Sequence, residues 1–109
     1  MKTLDEYQQL TLTTKANDLD DKTALATWAL GVAGEAGEVA DLIKKVIGHN
    51  HPLDKEKVAK ELGDVLWYVS VMANQLGFTL SEIALRNINK LKDRYPNGFS
   101  TEQSLNRKE

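Results

Sequence analysis

The stretch KTALATWALGVAGEAGEVADLIKKVI, residues 22–47, decides the fold. Leu25, Trp28, Ala29, Val32, Ala36, Val39, Leu42, Ile43 and Val46 recur in it at spacings of three and four, the period of a single apolar helical stripe. The segment Gly48-His49-Asn50-His51-Pro52 stops this second helix, with a glycine on its C-terminal side and a proline soon after. The same period returns downstream. A third helix opens near Asp54, carries Val58, Leu62, Val65, Leu66, Val69, Met72, Ala73 and Leu76 on its stripe, and ends at Gly77. A fourth runs to about Arg94 with Leu80, Ala84, Ile88, Leu91 and Tyr95 inward, and Pro96-Asn97-Gly98 breaks it. Upstream, a first helix spans about Leu4 to Lys15, apolar at Leu4, Tyr7, Leu10 and Leu12. Thr3 with Glu6, and Thr79 with Glu82, have the spacing of capping boxes.

No period-2 alternation bounded by turn residues occurs, so strands are not expected. Short connections make successive helices antiparallel neighbours. The expected architecture is all-α, a four-helix bundle with two long antiparallel helices and two shorter ones. The 109 residues suit one domain over residues 1–99, followed by a polar, frayed tail over 100–109. So small a core predicts a homodimer or homotetramer.

Composition narrows the chemistry. With 14 basic and 16 acidic residues the net charge is −2, which leaves no broad basic surface for a nucleic acid polymer. No apolar run is long enough for a membrane span, and the N-terminus has no signal-peptide core. The chain has no cysteine, which removes disulfides, thiolate catalysis and sulfur-ligated metals and fits a cytoplasmic location. Any chemistry falls to oxygen ligands.

Those ligands sit on the two long helices. Gly34-Glu35-Ala36-Gly37-Glu38 places two carboxylates three residues apart, and Glu61-Leu62-Gly63-Asp64 does so again. Residues at that spacing share a helix face. Val32 and Val39 bracket the first pair, Val58 and Val65 the second, so both pairs lie beside the packing stripe. Two like charges about 6 Å apart repel by about 3 kcal/mol at an effective dielectric near 20. Four meeting across one interface need protons or a cation, and an all-carboxylate set suits Mg²⁺ or Mn²⁺. Spacing alone leaves a solvated acidic face and a cation site both open. A di-iron bundle is disfavoured because it requires Glu-x-x-His, whereas His49 and His51 fall in a loop. Gly31, Gly34, Gly37 and Gly63 lie in helix interiors, where glycine costs about 0.5–1 kcal/mol relative to alanine, and imply close backbone approach or a bulky ligand.

Taken with Val65-Leu66-Trp67-Tyr68 after the second pair and Lys90-Leu91-x-x-Arg94-Tyr95-Pro96-x-Gly98-Phe99 downstream, these motifs resemble the MazG-like nucleoside triphosphate pyrophosphohydrolases. That all-α family is marked by Glu-x-x-Glu, a gap, and Glu-x-x-Asp. The resemblance runs from the second helix to Phe99. It implies Mg²⁺-dependent hydrolysis between the α- and β-phosphates of a (d)NTP, giving (d)NMP and pyrophosphate, in nucleotide pool sanitation. Glu35, Glu38, Glu61 and Asp64 would then be the metal ligands, with Glu35 or Glu38 positioning or deprotonating the attacking water. Phosphoryl transfer needs charge neutralisation and positioning rather than a covalent nucleophile, so the lack of cysteine is no obstacle.

Lys90 and Arg94, one turn apart, match the family's basic positions and would bind phosphate, with Asn87 on the same side. Surface solubility is the alternative for both cations. Trp28 and Trp67 are candidates to stack a base, against core packing as the alternative role. Asp41 extends the acidic row and would support the site, while Lys44, Lys45, Lys57 and Lys60 read as solvated. Two further readings stay open: a phosphoribosyl-ATP pyrophosphohydrolase, and a non-catalytic helical adaptor with a structural metal.

Overall fold

The computed structural model describes residues 1–107. Its order is α1 (Leu4–Thr11), α2 (Asp21–Gly48), α3 (Lys55–Gln75), α4 (Leu80–Arg94) and α5 (Thr101–Leu105), with no strand among the described residues. Trp28 meets Gln75, Gly31 meets Tyr68, Glu35 meets Glu61 and Asp64, and Val46 shares a cavity with Val58. Rising numbers on α2 against falling numbers on α3 make the long pair antiparallel. The two shorter helices, α1 and α4, pack on α3 and on each other. The all-helical bundle expected from the periodicity is present.

Each start follows from a cap. Asp20 accepts from Thr23 N–H at 2.8 Å and Asp54 from the Glu56 and Lys57 N–H groups. At α4 the Thr79–Glu82 capping box is complete. At α1 only half of one forms: Thr3 accepts from Glu6 N–H, while the Glu6 carboxylate takes Lys2 N–H instead.

Several details differ from the sequence reading. The first helix stops at Thr11 rather than Lys15, because Thr13 and Thr14 donate back to the Leu10 and Thr11 carbonyls and offer the backbone a turn in place of helix. Gly48 is still helical, and it is Asn50, at φ 55°, that takes the left-handed conformation after α2. The tail read as frayed over 100–109 contains α5, capped by Ser100 through Gln103 N–H; residues 108 and 109 lie outside the described residues.

The core occupies one end of the long pair. Ala24, Trp28 and Val71 are buried, and Leu12, Leu19, Trp67, Tyr68 and Met72 pack around them. The buried side of α1 is polar, not the Leu4–Leu10 stripe the periodicity suggests. Gln8, 2% exposed, donates to the Ser70 and Phe78 carbonyls and accepts from Leu80 N–H, and Thr11 bonds the Ser70 hydroxyl at 2.8 Å. This network ties α1 to α3 and to the first turn of α4. Leu80 is buried as expected, but Ile88 and Leu91 are 48% and 37% exposed: α1 is bonded to the first turn of α4, where Leu80 N–H donates to Gln8 and Ser81 N–H to Asp5. The far end of α2 and α3 is likewise uncovered, with Ile43, Ile47, Leu53, Leu62 and Leu66 exposed.

Only one of the four interior glycines makes a close approach. A methyl group on Gly31 would land in the Tyr68 ring, while Gly34, Gly37 and Gly63 face open space. Tyr68 is itself wedged against Trp67 and Trp28, at centroid distances of 4.9 and 6.4 Å, and has little room to yield.

Three stability changes are expected from these contacts. Gly31→Ala lowers stability in a urea titration by about 1–2 kcal/mol, overpacking outweighing the helix-propensity gain, whereas Gly37→Ala raises it by about 0.5–1 kcal/mol. Gln8→Ala costs about 1–3 kcal/mol by leaving the Leu80 N–H and the Phe78 carbonyl without their buried partner.

Candidate active site

Midway along the long pair, where the core gives out, three carboxylates converge. One oxygen each of Glu35 on α2 and Glu61 and Asp64 on α3 lie within 4.8 Å of one another. Glu35 and Glu61 are half-buried, and Asp64 is exposed. The i, i+3 spacing of Glu61 and Asp64 puts both on the face turned to α2, and the antiparallel register brings Glu35 between them. Burial pushes the Glu35 carboxyl above its usual range, together with a hydrogen bond to Glu61 and the negative charges of Asp64, Glu61 and Glu38. Across the cluster, burial and the Asp64 charge also push the Tyr7 phenol up.

The ion pairs Lys44–Asp41 and Lys45–Asp41 leave out the three carboxylates, and the charges acting on Glu35 are all negative. A raised carboxyl among like charges with no cationic partner, and an all-oxygen donor set, fit a hard divalent cation. Glu38 stands outside the group. It lies one turn further along α2, exposed, close enough for its charge to act on Glu35.

A cavity of ≈ 330 Å³ opens beside the cluster, lined by Thr14, Glu35, Asp64, Trp67 and Tyr68. The Trp67 indole N–H donates to Thr14 Oγ1 at 2.8 Å and stands edge-on to Tyr68. Trp28 lies beneath, 4% exposed, its indole N–H on Gln75 Oε1 and its ring packed by Trp67 and Tyr68. Packed in this way, Trp28 has no free face for a base and serves the core; Trp67 is the tryptophan that reaches the cavity. Thr14 was not singled out from sequence, where Tyr7 was read as an apolar position of the first helix and Tyr68 as part of the motif after the second acidic pair, neither with a role at the site. Tyr68 was findable, one turn after Asp64 on the same face, while Thr14 and Tyr7 approach only through the docking of the α1 segment.

The remaining expected residues lie elsewhere. Asp41 is bound to Lys45 at 2.6 Å and Lys44 at 3.1 Å, which holds its carboxyl below the usual range and takes it out of a supporting role. Asn87 and Lys90 are exposed on α4, and Arg94 lies with its guanidinium 5.9 Å from the Tyr95 ring centre; none lines the cavity. His49 and His51 face each other in the loop joining α2 to α3.

A family model, the MazG nucleotide pyrophosphohydrolase domain, matches residues 23–99, a range that holds all four acidic positions and the α4 cations. The Gene 37 protein of Mycobacterium phage L5 is 39% identical over 87 residues, covering 76% of this chain and 76% of that protein. No solved structure matches. No helix among the described residues is long and apolar enough to cross a membrane. With three of the four acidic positions converging in the fold and the family model spanning most of the chain, the protein belongs to the MazG nucleotide pyrophosphohydrolase family.

Proposed function

We propose that this protein hydrolyses nucleoside triphosphates, ribo- or deoxyribo-, to the monophosphate and pyrophosphate, in the cytoplasm and in the service of nucleotide pool sanitation. The observation that carries the reading is the convergence of Glu35, Glu61 and Asp64 from two helices on one point. These three residues hold Mg²⁺, or Mn²⁺ in its place. The bound cation supplies positive charge against the negative charge that builds on the phosphate oxygens during transfer.

The chain's own residues do the rest. Glu38, left out of the three-carboxylate group, orients the attacking water and accepts its proton. Trp67 presents an indole at the cavity wall for the base, and Thr14 fixes that indole through its hydroxyl. Lys90 and Arg94, with Asn87 beside them, bind the phosphates that leave as pyrophosphate. The active form is a homodimer or homotetramer.

Pyrophosphate release from a panel of standard and modified triphosphates with Mg²⁺, phosphoribosyl-ATP included, tests this directly. Turnover of at least one nucleoside triphosphate is expected, and a wild type no faster than Asp64→Ala on every substrate would sink the reading. Asp64→Ala lowers kcat/KM by about 100-fold or more, and chelation abolishes activity.

The raised Glu35 carboxyl gives a pH signature in the metal-free protein. Because the folded state holds this proton more tightly than the unfolded chain, the stabilisation contributed by Glu35 is fully present below the ordinary value of 4.5 and declines as pH rises through the raised value, whereas Asp20 and Asp41, held below their usual range, act in the opposite sense at acid pH. Thermal denaturation in chelator should show that decline as the difference between the Tm–pH profiles of wild type and Glu35→Gln, and Mg²⁺ should raise the wild-type Tm.

A further inference from the structure

The cavity beside the carboxylates meets a ligand mainly with hydrogen-bond acceptors. It is lined by Thr14, Glu35, Asp64, Trp67 and Tyr68. With a cation held, Glu35 and Asp64 are ionised, and an ionised carboxylate only accepts. The N–H of the Trp67 indole is already given to Thr14 Oγ1 at 2.8 Å. The Tyr68 hydroxyl has no hydrogen-bond partner among the described residues and can take either role.

Thr14 decides the balance. A hydroxyl has one hydrogen and two lone pairs. Here the hydrogen goes to the Thr11 carbonyl at 3.1 Å, and the Trp67 N–H takes one lone pair. What remains for a ligand is the other lone pair, an acceptor. The turn that carries Thr14 is anchored from below, because Thr11 Oγ1 meets the Gln8 carbonyl at 2.7 Å and the Ser70 hydroxyl of α3 at 2.8 Å. Thr14 precedes residues 23–99, so this acceptor stands outside the family domain. Its side chain is exposed, and water competing for the lone pair keeps any preference moderate.

We propose that the site selects nucleotides whose base carries an exocyclic amine on its pairing edge, cytosine or adenine, over the isosteric bases with a carbonyl in that place, uracil or hypoxanthine. The base lies on the Trp67 ring, and its amine donates to the free lone pair of Thr14. A carbonyl there sets lone pair against lone pair and gains no bond. Tyr68 does not reverse the choice, because its hydroxyl donates to a bare ring nitrogen as readily as it accepts from a protonated one. That the ligand is a nucleoside triphosphate rests on the pyrophosphohydrolase reading above; Thr14 adds the class of base.

Two experiments test it, the second without turnover. In the first, kcat/KM is measured with Mg²⁺ for two isosteric pairs, CTP against UTP and ATP against ITP, in ribo and deoxyribo form. In whichever pair is turned over faster, the amino member is favoured by about 10-fold or more. Thr14→Val removes the acceptor and frees the Trp67 N–H, a donor, so the ratio falls to about one or below, while Thr14→Ser keeps the preference. An active wild type without the preference, or a Thr14→Val protein that retains it, overturns the proposal. In the second, the two tryptophans of the chain give two indole N–H resonances, and loss of one in Trp67→Phe assigns it. Thr14→Val moves the Trp67 resonance and leaves that of Trp28 in place, which also shows that the variant folds. CMP and AMP shift the Trp67 resonance at lower concentration than UMP and IMP; an equal response, or none, overturns the proposal. An inactive wild type that still makes this distinction removes the catalytic reading and leaves the base selection standing.

Discussion

The rest of the structure depends on the register of α2 against α3. The Tyr68 ring occupies the space a side chain at Gly31 would need, and Trp28 and Trp67 meet edge to face at 5.9 Å beside it. With a rise of about 1.5 Å per residue, a slip of one helical turn would carry Glu61 and Asp64 about 5 Å away from Glu35. The aromatic block therefore holds the two helices at the one offset that brings three carboxylates together. It does so against their mutual repulsion, which adds to burial and the Glu61 hydrogen bond in raising the Glu35 carboxyl and which no positive charge acting on Glu35 relieves.

That block also marks a boundary. On one side of it lie the buried residues, sealed by α1 and α4 and stitched by the Gln8–Ser70–Leu80 hydrogen bonds. On the other side the long pair continues with only its own contacts. The carboxylates sit at the transition, Glu35 and Glu61 half-buried and Asp64 exposed, and the cavity at Thr14, Trp67 and Tyr68 leaves them open to a ligand. The core thus fills only part of the longest helices, and the site lies at its edge.

The helices themselves were readable because their signals are local. Apolar residues three and four apart, a Thr or Asp before a turn of acidic residues, and a glycine or proline after it act within a few residues of one another. The acidic pairs were readable for the same reason. What misled was the identity of the buried face of α1: Gln8 and Thr11 are polar, and nothing near them in sequence announces that Ser70, Phe78 and Leu80 wait to satisfy them. The end of that helix was lost to threonine hydroxyls that compete for its carbonyls. Asp41 looked like a fifth member of the acidic row until Lys44 and Lys45 proved to be its partners.

By itself the sequence determined that this chain is helical, where its long helices run, and which carboxylates share a face, because those properties rest on hydrogen bonds and periodicities that close within a few residues. Only the tertiary structure decided which of them meet. It drew Glu35, Glu61 and Asp64 together and left Glu38 outside, sank Trp28 into the core and turned Trp67 to the cavity, and separated Lys90 and Arg94 from the carboxylates. Those outcomes hang on the offset between two helices and on how far the short ones reach, quantities fixed by packing between residues distant in the chain.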